Sequence, residues 1–264
     1  LNNLRGIYII WYRDLLRFWR DKARLITTFV MPFLFLVVFG TGIASSMMRG
    51  TGDSGFDYIQ FMYPGIIGMV VLFTSMMTGV SLVWDREFGF LKEVLIAPIS
   101  RTAVAIGKAL GGATIATIQG LIMLVFIPFA HVSPSIGGII TLIAVMFVVA
   151  LSLTSMGILI ASRIKTIEAF GMVAPLMLFP LFFLSPAMFP TQYLPAWLGI
   201  TVKFNPVSYG IDAMRQAVLG SQQSAMFGIH LFGFRMPIIL DVVVVILFGL
   251  IMGTLAIRSF RVQE

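Results

Sequence analysis

Five stretches of this chain, residues 26–44, 61–83, 109–130, 136–161 and 169–188, contain no Asp, Glu, Lys or Arg. Each approaches or exceeds the ~20 residues that carry a helix across ~30 Å of hydrocarbon. A sixth, residues 238–257, has one acid, Asp241, near its start, which reads as a solvated or helix-capping carboxylate. Inside lipid every backbone N–H and C=O must find a partner within the protein, so runs of this length read as membrane-spanning helices. The expected fold is therefore an all-α integral membrane protein, with six transmembrane helices in one domain over residues 1–264. Composition agrees, because 11% of the residues are charged where soluble domains carry roughly 25%.

An even number of spans puts both termini on one side. Segments 1–25, 84–108, 162–168 and 258–264 hold 14 of the 18 Lys and Arg residues, and the positive-inside rule makes that side cytoplasmic. Residues 1–25 read as an interfacial helix, with Leu4, Tyr8, Trp11, Leu15 and Phe18 on one face and Arg13, Arg17, Arg20 and Arg24 opposite. Such a helix lies on an anionic leaflet with its arginines among the headgroups. Membrane lipid is thus the expected partner of the net charge of +7, and nucleic acid is not, since the following residues enter the bilayer. With Leu1 where an initiator Met would stand, upstream residues are expected.

The long connection 189–237 contains an apolar stretch too short to cross, so it is expected to form an extracellular re-entrant helical hairpin before the last span. Asn205 and Pro206 mark its turn, and a helix from Val207 to Leu219 closes at Gly220, the residue best suited to a left-handed cap. Pro175, Pro180 and Pro186 each remove a helical hydrogen bond, which makes the fifth span a candidate hinge or outer gate together with Asn205 and Pro206.

Several chemistries are excluded. The chain has no Cys and two isolated His residues, so neither a disulfide framework nor a metal centre is expected. Gly107 and Lys108 are followed by Ala109, and Thr102 stands where a phosphate-binding loop needs its first glycine. No cofactor is therefore expected in this chain. Without ionisable residues at the span centres, proton relays and voltage sensing lack their usual groups. The polar residues inside the spans are mild, and Thr74, Thr78, Thr117 and Gln119 form a possible substrate path. Interhelical packing is the competing role for the hydroxyls.

Segment 84–108 stands out as a charged island between two apolar runs. Read as a helix, it places Trp84, Phe88, Leu91 and Leu95 on one stripe and Asp85, Arg86, Gly89, Lys92 and Glu93 on the other side. A helix of this kind can lie at a membrane surface and offer its charged face to a soluble partner.

Residues 85–120, DREFGFLKEVLIAPISRTAVAIGKALGGATIATIQG, and 204–220, FNPVSYGIDAMRQAVLG, resemble the permease subunits of the type 2 ABC exporter family. That family includes daunorubicin-resistance-like drug exporters and permeases for polysaccharides or lipid-linked glycans. The resemblance implies a homodimeric or pseudo-dimeric channel in a bacterial-type plasma membrane, bound to two ATPase subunits that carry the ATP and Mg. It also implies that residues 85–96 form a cytoplasmic coupling helix, with Asp85, Arg86, Glu87, Gly89, Lys92 and Glu93 contacting the ATPase. A hydrophobic or amphipathic small molecule is the favoured cargo and a glycan or glycolipid the alternative. A channel, a scaffold or a sodium-coupled transporter is the reading from outside the family.

Overall fold

The computed structural model describes residues 2–22, 30–42, 57–88, 99–191, 195–224, 227–231 and 234–262. Helix α1 covers Asn2–Arg20, α2 Val30–Gly42 and α3 Tyr58–Glu87. Helix α4 covers Arg101–Ile122, tightens into a 3-10 stretch at Met123–Phe126 and ends in one more turn, Ile127–Ala130. The tightening falls where Pro128 has no N–H to donate to the preceding turn. Helices α5, Ile136–Arg163, and α6, Ile167–Phe183, follow. Helices α7, Ala196–Phe204, and α8, Pro206–Gln223, come next. A short antiparallel pair, β1 His230–Leu231 and β2 Phe234–Arg235, leads into α9, Ile238–Val262.

Helices α3, α4 with its extension, α5 and α9 are long and apolar enough to cross a membrane, whereas α2 and α6 are shorter apolar helices. Residues 26–29 and 43–44 of the expected first span lie outside the described residues. Helix α3 is the centre of the bundle, buried along most of its length against α4, α5, α6 and α8. Asp57 starts it by accepting the N–H groups of Ile59 and Gln60 at 2.9 and 3.3 Å. Helix α9 packs on α5 and α8 and leaves Leu247, Leu250 and Ile251 exposed, as a lipid-facing helix does.

Two sequence expectations change at the end of α6. The helix runs unbroken through Pro175 and Pro180, but it stops at Phe183 instead of continuing to Met188. Pro186 cannot donate to the Phe182 carbonyl, which takes the Ser185 N–H at 3.2 Å and the Ser185 hydroxyl at 2.5 Å instead. The Asn205 side-chain amide then caps the frayed end, donating to the carbonyls of Leu181 at 2.7 Å and Leu184 at 3.0 Å.

Asn205 sits at the turn between α7 and α8, so this cap fixes how deep the hairpin reaches. Helix α5 has 28 residues and is about 42 Å long at 1.5 Å per residue. Early in α8, Gly210 lies against Val149, near the middle of α5; later, the Ala217 carbonyl lies against Gly138 at the head of α5. Helix α8 thus climbs from mid-bundle to one end. It is buried on every side from Val207 to Val218, while α7 exposes Trp197, Ile200 and Phe204. Gly220 takes the expected positive φ of 77°, but its ψ of 165° is not that of a left-handed cap, and the chain resumes a helical turn to Gln223.

The segment after α6 is pressed onto α3. A Cβ placed on Gly65 would stand 2.2 Å from the Ala187 carbonyl oxygen. Gly65→Ala must push the two backbones apart, and it is expected to cost about 1–3 kcal/mol. The check is the thermal midpoint of the detergent-solubilised protein; an unchanged midpoint would show that the segment yields freely.

Candidate functional site

The site is built at the end of the bundle where the basic segments gather, around both ends of the 84–108 island. The last turns of α3 supply Ser81 and Asp85, and the second turn of α4 supplies Lys108. Lys108 is 1% exposed, and its ammonium lies 2.8 Å from Asp85 Oδ2, 3.3 Å from Asp14 Oδ1 and 3.0 Å from Ser81 Oγ. From α1, Arg13 reaches the same two oxygens at 3.0 and 3.2 Å. Two cations and two anions thus share one site with no net charge. Burial of Lys108, Asp85 and Asp14 is tolerable because each charge has an opposite charge within hydrogen-bonding distance, with half-exposed Arg13 completing the set.

Helix α1 spans the island from end to end. Asn3 Oδ1 accepts the Ser100 N–H at 3.0 Å, and Ile99 packs against Gly6. Farther along, Ile10 meets Gly107, Asp14 meets Gly111, and the Trp11 indole donates to the Thr114 hydroxyl at 3.1 Å. The Arg17 guanidinium lies over the Trp84 ring, 5.7 Å from its centroid. The packed stripe is therefore Gly6, Ile10, Asp14 and Phe18, while Leu4 and Tyr8 of the expected apolar face are exposed. The glycines of α4 admit this stripe and Lys108 neutralises its acid.

The next two residues of α3 hold two further helix ends, because successive helical side chains point about 100° apart. Arg86 Nη1 lies 3.5, 3.2 and 3.1 Å from the carbonyls of Ala161, Ser162 and Ile164, at the C-terminus of α5. Glu87 Oε2 accepts the Ile167 N–H at 3.0 Å, at the N-terminus of α6. A cation on a C-terminus and an anion on an N-terminus match the helix dipoles. The Ser162 hydroxyl donates to Ser259 Oγ at 2.7 Å, which brings in α9. Asp85, Arg86 and Glu87 therefore tie the end of α3 to α1, α4, α5 and α6.

Of the expected coupling residues, these three face partners within the chain, and Gly89, Lys92 and Glu93 lie outside the described residues. Thr74, Thr78, Thr117 and Gln119 are all buried. Gln119, expected to face a pathway, is packed between α3 and α4, where its carbonyl accepts the Thr74 hydroxyl. The Thr78 and Thr117 hydroxyls donate to the carbonyls one turn back in their own helices, Thr74 at 3.3 Å and Ala113 at 2.8 Å. Asp241, expected as a solvated or capping carboxylate, is fully buried, because α8 packs over the head of α9 and its Gln216 donates to the carboxylate.

Four helices long and apolar enough to cross a membrane, tied together through the charged end of α3, define a polytopic membrane protein. The family model of the ABC-2 type transporter matches residues 5–219, and the chain belongs to that permease family. It is 29% identical to "Putative transport permease ycf38" of Cyanophora paradoxa over 94% of this chain and 86% of that protein. It is also 29% identical to the inner membrane transport permease YadH of Escherichia coli, over 80% of this chain and 82% of that protein. Similarity to "Probable multidrug ABC transporter permease YbhR" of Escherichia coli is 28% over 66% of this chain and 47% of that protein. The chain is thus a transport permease of an ABC transporter, a transport subunit in place of an enzyme, and its family implies an ATP-binding partner subunit.

Proposed function

We propose that this permease exports a hydrophobic or amphipathic small molecule, drug or lipid, driven by two separate ATPase subunits that hold ATP and Mg. The observation that carries the reading is the strap of α1 across the island. A push on loop 89–98 cannot displace α3 without also moving Lys108 of α4 and Arg13 of α1. The strapped end is cytoplasmic in this reading, with both termini on that side and the re-entrant hairpin on the other, in an inner or plasma membrane. Two permease copies form the path, since the polar residues inside this chain are used in its own packing.

An amphipathic cargo is supported by the multidrug name of one relative and by an apolar groove of about 380 Å³, lined by Ile106, Phe147, Leu151, Ile246 and Leu250. Glu93→Arg reverses one charge on the proposed docking face. In the permease copurified with its ATPase, cargo-stimulated ATP hydrolysis is expected to fall at least tenfold while the permease remains folded. Retained stimulation in Glu93→Arg would remove the docking face from this loop. Loss of association with any ATPase in the native protein would remove the exporter reading itself.

A further inference from the structure

The far end of the bundle holds a polar cluster that transport by the strapped loop does not use. Asp212 of α8 and Asp241 in the first turn of α9 are both 0% exposed. One amide serves both of them. Gln216 Nε2 donates to Asp241 Oδ2 at 2.8 Å and lies 3.3 Å from Asp212 Oδ2 and 3.2 Å from the Met236 carbonyl. The Ile229 N–H also donates to Asp212 Oδ2, at 3.3 Å. The second oxygen of each carboxyl, Asp212 Oδ1 and Asp241 Oδ1, is buried without a hydrogen-bond partner among the described residues. The other two oxygens lie against the same Gln216 nitrogen, which sets the two buried carboxyl groups side by side.

The charged and titratable groups around the pair are few. On α8, Arg215 Nη1 is 3.9 Å from Asp212 Oδ1, its Nη2 donates to the Pro186 carbonyl, and its guanidinium lies 4.3 Å from the centroid of the Phe61 ring. Tyr209, also on α8, donates its hydroxyl to the Lys203 carbonyl at 2.6 Å. From the hairpin come half-buried Arg235, which donates to Ser224 Oγ at 2.6 Å, and exposed His230, whose ring is 3.0 Å from the Gly228 carbonyl. Helix α3 offers Phe61 and, at its head, Asp57, which caps its own helix. Helix α5 carries no charged residue before Arg163.

We propose that Asp212 and Asp241 hold a single proton between them, and that this shared proton latches the re-entrant helix α8 and the β1–β2 hairpin onto the head of the last span. Two buried carboxylates side by side cannot both ionise at ordinary cost. One proton turns their repulsion into a charge-assisted O–H···O⁻ bond and supplies the donor that the orphan oxygens lack. It leaves one negative charge, which Arg215 matches. A bound metal cation would meet that guanidinium at the same carboxyl, so the proton is the better occupant. Burial pushes the Asp212 carboxyl up, while the Arg215 guanidinium pulls it back down.

The sign of the pH effect follows. The folded pair keeps its proton through a range in which free carboxyls, with values near ~4, have lost theirs. The latch is therefore fully stabilising in acid and weakens as pH rises toward the value of the pair, with local opening up to about tenfold more frequent per pH unit. The proton leaves to bulk solvent.

Infrared difference spectroscopy on the native chain in lipid nanodiscs is expected to show the carbonyl stretch of a protonated carboxyl that persists at neutral pH. Asp212→Asn and Asp241→Asn should each abolish it. Hydrogen exchange of α8, corrected for intrinsic rates, should rise with pH in the native chain and lose that dependence in Asp241→Asn, whose amide mimics the protonated acid. No protonated-carboxyl signal in the native chain at neutral pH would overturn the proposal, even if neither variant folds. The same pH dependence in native and variant chains would overturn it too. Neither measurement needs an ATPase or a cargo, so the result is independent of the exporter reading.

Discussion

Lys108→Met is expected to be the most damaging single change at the strapped end, lowering stability by about 3–5 kcal/mol and abolishing cargo-stimulated ATP hydrolysis in the complex. Methionine keeps much of the stem but removes the charge from a site where Asp85 and Asp14 are each only 7% exposed. Arg13, with 32% of its side chain exposed, is then the one cation within salt-bridge distance of both carboxylates among the described residues. Pairing the change with Asp85→Asn removes one charge of each sign and leaves Arg13 with Asp14. The double variant is therefore expected to recover more than half of the loss, the non-additivity typical of groups in direct contact. Thermal unfolding in detergent measures the first effect and ATP hydrolysis by the reconstituted complex the second. If Lys108→Met unfolds and hydrolyses like the native protein, the four-charge site carries neither stability nor coupling.

Arg215→Met is expected to cost a similar amount at the far end, about 3–5 kcal/mol at neutral pH. The guanidinium is wholly buried, and its loss strips the Pro186 carbonyl of its donor and Asp212 of its neighbouring cation. The deficit has a pH signature. In acid both carboxyls of the pair can be neutral, so part of the deficit disappears; as pH rises, an uncompensated buried charge must form and the deficit grows. Unfolding midpoints of native and variant protein measured across a pH series test this. A deficit that stays constant with pH would mean that Arg215 acts through the Pro186 carbonyl and Phe61, and not through the carboxyl pair.

The positions of α3, α4, α5 and α9 were legible because exclusion of charge from lipid is a rule about single residues, and each of these runs obeys it locally. The hairpin turn was legible for a similar reason, since Asn205 and Pro206 announce themselves without reference to distant residues. The strap was not, because Arg13 meets Asp85 across 72 positions and Lys108 meets Asp14 across 94. One signal was nonetheless present. Asp85 closes one apolar run and Lys108 opens the next, and consecutive antiparallel spans bring such ends together. Asp14, one of two acids in the arginine-bearing segment 1–25, marked the third member. The Asp212–Asp241 pair had weaker marks, because an acid near the head of a span reads as solvated until α8 is known to cover it.

The strap also sets an order of events during synthesis. Asp14 leaves the ribosome long before Lys108, and in between come α2 and α3. Until α4 is made, Asp14 has its neighbour Arg13 but not the ammonium that makes its burial affordable, so α1 must wait with its carboxylate in water. It can settle onto the bundle only after α4 has been delivered beside α3. A chain stalled or inverted before that point leaves α1 undocked, with Ile10 and Phe18 exposed. The first helix to be synthesised is thereby the last of the N-terminal half to be secured, a checkpoint on assembly written into a single salt-bridged site.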